Sequence, residues 1–234
     1  MKKVILSCQI AEKFREITGI DVISLAPYKK LDTPVCSHPD MLVFIIDKTV
    51  FCYAEYYDLN ENSFIEMAKY GYKIVKIEKT CAPNYPNDIS LNALNVGRFI
   101  FGNQKHLAKE IVDYAMENGY ELVNVKQGYA ACSTLVLDEK NVITGDKTIE
   151  NAAKSVGINA LLISNENIVL HGYNCGFIGG ASVVDNDTVY FFGDVNTLDE
   201  YEKIEEIISS IKMKVKPILS GRVFDFGGGK VINE

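Results

Sequence analysis

The chain has 234 residues, 47% apolar and 24% charged, and its 24 Lys and Arg stand against 31 Asp and Glu for a net charge of −7. That balance suits a globular domain, and the absence of any basic run argues against a nucleic-acid or anionic-membrane partner. Six cysteines, at 8, 36, 52, 81, 132 and 175, include no C-x-x-C pair, which points to reduced thiols rather than a disulfide framework or structural zinc.

In chain order, MKKVILSCQIAEKF returns to polar residues after Val4–Leu6, too short an apolar stretch for a signal peptide. No apolar run long enough for a transmembrane helix follows, so a cytoplasmic location is expected. Lys3–Leu6 reads as a strand, Phe14 and Ile17 as a helix face closed by Gly19, and DVISLA as a second strand. HPDMLVF (38–44) and VFCYAE (50–55) form the next pair of β-rich runs, followed by Phe64, Ile65 and Ala68 on a helix, Gly71 as its stop, and KIVKIE. NDISLNALNVGRFIFGN (87–103) repeats the pattern, with Leu107, Ile111 and Ala115, then Gly119, then ELVNVK. QGYAACSTLVLD (127–138) and NVITGD (141–146) lead to Ile149, Ala152, Ala153 and Val156, then Gly157, then NALLIS. FIGGASVVDN (177–186) and VYFFGD (189–194) lead to a capping-box spacing at Thr197 and Glu200, a face of Tyr201, Ile204, Ile207, Ile208 and Ile211, and KVKPIL. Glycines 19, 71, 119 and 157 sit where helix ends need a left-handed residue. Asn103, Asp146, Asp194 and Thr197 read as caps.

Ala54, Gly102, Gly145 and Gly193 are equivalent in these units and lie 48, 43 and 48 residues apart. The same offsets align Asp40, Asp88, Ala131, Gly179 and Gly227 at the start of each first strand. FGGGKVINE (226–234) overlays FIGGASVVDN, and Lys3–Leu6 overlays the second arm, Thr188–Phe191. The expectation is a single α/β domain, 1–234, of five ββαβ units in a closed five-bladed α/β propeller, with the N- and C-terminal strands completing one unit.

HPDMLVF, NDISLNALNVGRFIFGN and the terminal DFGGGKVI resemble motifs of the pentein, or guanidino-group-modifying, fold. That group includes arginine deiminases, amidinotransferases, dimethylarginine hydrolases and a non-catalytic ribosome-associated initiation factor. Within it the sequence looks most similar to a clostridial-type group of unassigned activity. The resemblance implies a nucleophilic cysteine a few residues after the terminal glycines and an acid–base histidine in the third unit. Here Asn233 best matches the cysteine position, and the third-unit turn has no histidine. An amide forms no covalent thio-intermediate, so the family chemistry does not carry over directly.

In such a ring the turns before the first strands point at the axis. The candidate ligand-binding residues are Asp40, Asn87, Asp88, Tyr129, Phe177 and Asp225, an acidic centre walled by two aromatics. Asp40 and Asp88 also fit plain turn residues bonding their own backbone. Cys132 and Cys175, with His38, are the candidates for a displaced catalytic set, although each cysteine equally fits a small buried hydrophobe. His171 and Cys175 are too few ligands for a metal, the glycine-rich stretches lack the dinucleotide pattern, and neither a cofactor nor a metal is expected. Three functions stay open: a pocket for a small cationic guanidino or amino-acid-like ligand, a cysteine-dependent amidino hydrolase or transferase, and a non-catalytic interaction scaffold. Oligomeric state is not legible.

Overall fold

A computed structural model describes residues 2–234. In chain order it contains β1 (Lys2–Ser7), α1 (Ala11–Thr18), β2 (Asp21–Leu25), α2 (Pro39–Leu42), β3 (Val43–Ile46), β4 (Thr49–Tyr53), α3 (Ala54–Leu59), α4 (Glu61–Lys69) and β5 (Lys73–Ile77). There follow β6 (Leu94–Val96), β7 (Phe99–Gly102), α5 (Lys109–Glu117), β8 (Glu121–Asn124), β9 (Thr134–Val136), β10 (Asn141–Thr144), α6 (Lys147–Ser155), β11 (Asn159–Leu162) and β12 (Ile168–Val169). The chain finishes with β13 (Ser182–Asp185), β14 (Thr188–Phe191), α7 (Tyr201–Ser210), β15 (Lys214–Pro217), β16 (Val223–Phe224) and β17 (Gly229–Asn233).

The strands form small open sheets that repeat one plan. In β3-β4-β5, β6-β7-β8, β9-β10-β11 and β13-β14-β15 an antiparallel pair is extended by a parallel strand, reached through a helix. The same plan appears in β17-β1-β2, where the antiparallel arm comes from the other end of the chain. The two terminal strands pair as the overlay of both ends predicts, but with the register shifted by one residue: Lys3 stands opposite Ile232 and Ile5 opposite Lys230, where the β13-β14 pairing carried over would set Val4 opposite Ile232. A two-strand parallel pair, β12 with β16, was not expected from the sequence. Each of these strands has only two residues, too short to carry a periodic signal.

The helix ends follow local chemistry. Gly19 caps α1 with φ 71°, and Gly71, Gly119 and Gly157 take φ of 82°, 76° and 83°. Asp146 caps α6 by accepting from the N–H groups of Thr148 and Ile149. The capping box at Thr197 does not form. Val195–Thr197 is a 3₁₀ turn, the Thr197 hydroxyl donates to the Asp194 carbonyl, and α7 begins at Tyr201 after Glu200. Asn103 and Asp194 make no capping hydrogen bond either: α5 starts after Ala108 and the Asn103 amide donates to the Lys126 carbonyl, while the Asp194 carboxylate accepts from Gly221 N–H.

Helices α1, α4, α5, α6 and α7 bury one stripe each, carried by Phe14, Phe64, Ile111, Ile149 and Ile204. Ile17 and Ile65, expected on those stripes, are 40% and 43% exposed; Met67, three residues beyond Phe64, takes the inward place instead. The largest apolar cluster runs from Ile5 and Ile232 through Phe51, Tyr53 and Tyr56 to Ile111 and Cys132, joining residues from distant parts of the chain. No helix among the described residues is long and apolar enough to cross a membrane.

Candidate functional site

The segments before the first strands meet at one place. His38 is the N-cap of α2, which opens on Pro39 at its first position, a residue pre-set for a helix start. Asp88 and Tyr129 come from the loops before β6 and β9, Cys132 from the turn entering β9, and Phe177 and Asp225 from the loops before β13 and β17. These six residues, with Cys175, Tyr173 and Met41 among others, line a cavity of about 280 Å³.

Backbone geometry holds the site in shape. Gly227 has φ 78°, and a Cβ there would lie 2.3 Å from the His38 Cβ, so only glycine allows β17 to begin against His38. Gly180 faces Asp225 so closely that a Cβ would meet its Oδ1 at 2.0 Å. Asp225 is fixed by two backbone donors, accepting from Phe177 N–H and Gly227 N–H, each at 2.9 Å. His38 Nδ1 lies 3.7 Å from Asp225 Oδ1, with both side chains 2% exposed. Asp88 Oδ2 accepts from the Tyr129 hydroxyl at 2.7 Å. Asn92, fully buried, donates to the Asp40 carbonyl and to Cys132 Sγ at 2.9 Å each, and accepts from Ala131 N–H at 2.8 Å, tying three loops together.

Some buried polar atoms have no partner: His38 Nε2, Asp88 Oδ1 and both carboxylate oxygens of Asp40. Native interiors rarely leave such atoms unmet, and where they cluster at a cavity they are the atoms a ligand would satisfy. Burial pushes the Asp88 carboxyl above its usual range, with the Tyr129 hydroxyl pulling the other way. Burial also raises Asp225, against His38 and its two N–H donors. The Cys132 thiol stands well above its ordinary pKa, first through burial and then through the charges of Asp40 and Asp225. Cys175 is raised by burial and by Asp225 and Glu166. A thiol surrounded by carboxylates stays protonated, the opposite of the electropositive setting that makes a cysteine nucleophilic.

The predicted residues are therefore only partly brought together. Asp88, Tyr129, Phe177, Asp225, Cys132, Cys175 and His38 share the cavity. Asp40 lines a different cavity, to which neither His38 nor Asp225 contributes. Asn87 is exposed and lines neither, and Asn233 lies exposed near the end of β17, also outside both. Arg98 pairs with Glu121 at the surface and Arg222 is exposed, and neither lines the cavity. Asn92 and Lys230 escaped the reading of the sequence; both sit a few residues beyond the aligned anchors Asp88 and Gly227, inside runs read only as strand.

The profile of a family of unknown function, DUF6873, matches residues 5–229. The chain belongs to that family. No curated protein matches the sequence. Solved structures do resemble it in fold. A dimethylarginine dimethylaminohydrolase (DDAH) from Pseudomonas aeruginosa, a cysteine-to-serine mutant complexed with citrulline, superposes with TM-score 0.58 at 12% identity, covering 99% of this chain and 98% of that one. The agmatine deiminase of C. jejuni gives 0.55 at 11%, covering 92% and 87%. SxtG, an amidinotransferase from Microseira wollei in the saxitoxin biosynthetic pathway, gives 0.53 at 12%, covering 89% and 75%. This DUF6873 chain therefore has the mixed α/β pentein fold.

Proposed function

We propose that the chain is a single pentein-like domain whose repeated sheets surround the two cavities as a five-bladed ring, and that the cavity at Asp88 and His38 binds a small guanidino or amino-acid-like cation. The observation that carries this reading is the pair of unmet buried atoms, Asp88 Oδ1 and His38 Nε2, in a cavity walled by Tyr129 and Phe177. Asp88 Oδ1 can only accept and so calls for an N–H donor, and His38 Nε2 stands without a partner on the same cavity. A planar, donor-rich cation supplies that donor, and the aromatic walls, with ring centroids 6.3 Å apart, suit its flat faces. Fold neighbours described as a hydrolase of dimethylarginine and an agmatine deiminase support the same ligand class.

Binding without covalent catalysis fits the geometry better than amidino transfer. Cys132 and Cys175 lie beside the cavity, but carboxylates rather than cations face them, and Asn233 stands away from it. The test is calorimetric titration with agmatine, arginine and citrulline. Asp88→Asn should weaken binding of the cations by about 1.5–3 kcal/mol, the scale of a charge-assisted hydrogen bond, while Cys132→Ser retains it. Equal affinity for the parent and Asp88→Asn would overturn the reading.

A further inference from the structure

A second cavity, of about 260 Å³, is lined by Asp40, by the Gly227–Gly229 turn and by the start of β17 with Lys230, and shares no lining residue with the first. Asp40 is 7% exposed, and neither of its carboxylate oxygens has a hydrogen-bond partner. The Asn92 amide is engaged on the Asp40 carbonyl and on Cys132 Sγ, which leaves the weak Cys132 thiol, also 3.9 Å from Met41 Sδ, as the one protein donor among the described residues within reach of the Asp40 carboxyl. Lys230 is exposed as a residue, although burial around its ammonium lowers its pKa, and among the described residues it makes no ion pair or hydrogen bond. It lies within electrostatic reach of Asp40, each stabilising the other's charge, yet farther than the 4.0 Å of a direct ion pair. The other polar side chains on the wall are satisfied internally: Ser182 donates to the Ile178 carbonyl, and Thr134 pairs with Thr144.

A buried carboxylate with no donor stronger than a thiol and a lysine without an acceptor, both on the wall of one cavity, leave two complementary charges to be met. A molecule that carries both opposite charges satisfies both residues at once, which neither a simple cation nor a simple anion does. We propose that this second cavity is a binding site for a small zwitterion, its ammonium group held by Asp40 and its carboxylate by Lys230. The site is separate from the one at Asp88 and stands or falls independently of it.

The test is a titration of the whole protein, by calorimetry or by ¹H–¹⁵N NMR, with glycine, β-alanine and γ-aminobutyrate, and with ethylamine and propionate as singly charged controls. At least one of the zwitterions should bind at least about tenfold more tightly than either control. Lys230→Met, at an exposed position on β17, should remove that preference, and so should Val184→Trp, which fills the cavity wall. Asp88→Asn should leave it unchanged. The proposal is overturned if no zwitterion binds better than the controls, or if binding survives in both Lys230→Met and Val184→Trp. Loss of zwitterion binding in Asp88→Asn but not in Lys230→Met would place that ligand in the first cavity and overturn it equally.

Discussion

Replacing Asp40 by Asn is the sharpest probe of the buried centre. The folded protein surrounds this carboxyl with apolar mass and with Asp225, and these outweigh His38 and Lys230, moving its pKa from 3.8 to about 6. A folded pKa above the unfolded one means that the native state holds the proton more tightly. Stability is then full below about pH 4, falls as pH rises through the interval from about 4 to about 6, and stays lower above it. A shift of about two units corresponds to at most about 3 kcal/mol, less whatever relaxation or water entry relieves. Asn carries no charge at any pH and leaves a polar group in the same unpartnered position as the protonated acid. The variant should therefore match the parent near pH 4 and exceed it by about 1–3 kcal/mol at pH 8. Urea unfolding of both proteins from pH 4 to pH 8 reads this directly, since most other titrating groups cancel in the difference. A variant less stable than the parent at pH 8, or a difference that does not change with pH, would refute the argument.

Ile232→Ala, on the terminal strand opposite Lys3, should cost about 2–5 kcal/mol because Ile232 is fully buried in the main apolar cluster; an unchanged denaturation midpoint would show that the last strand is not docked on β1. Tyr129→Phe removes the hydroxyl that donates to Asp88 Oδ2, so the Asp88 pKa should rise further in a carboxyl ¹³C titration, and a fall or no change would contradict the assigned bond. Exposed Cys8 should react with iodoacetamide at neutral pH well before Cys132; rapid, ligand-protected labelling of Cys132 or Cys175 would instead favour amidino chemistry.

The repeated sheet plan was legible because its signals are local: alternating runs, left-handed glycines after helices, and two chain ends that each match half of a hairpin. The pairing of β1 with β17 follows from that match, although its register differs by one residue from that of β13 with β14. The convergence of His38, Asp88, Tyr129, Phe177 and Asp225 was legible for the same reason, since equivalent positions of repeated units meet. The place of Asp40 was not. Were residues 38–40 extended, His38 and Asp40 would share a face. Pro39 instead starts a short helix, where each residue turns by about 100°, so two residues apart means nearly opposite directions. His38 thus faces one cavity and Asp40 the other. Lys230 was hidden in a run read only as strand, because no local pattern tells which face of an edge strand turns inward.

The most direct measurement is a crystal structure of the protein soaked with agmatine. Planar density is expected against the Tyr129 and Phe177 rings, with nitrogen atoms within hydrogen-bond distance of Asp88 Oδ1 and His38 Nε2. An empty cavity at saturating agmatine, or a ligand bound to Cys132 through a covalent bond, would contradict the proposed site.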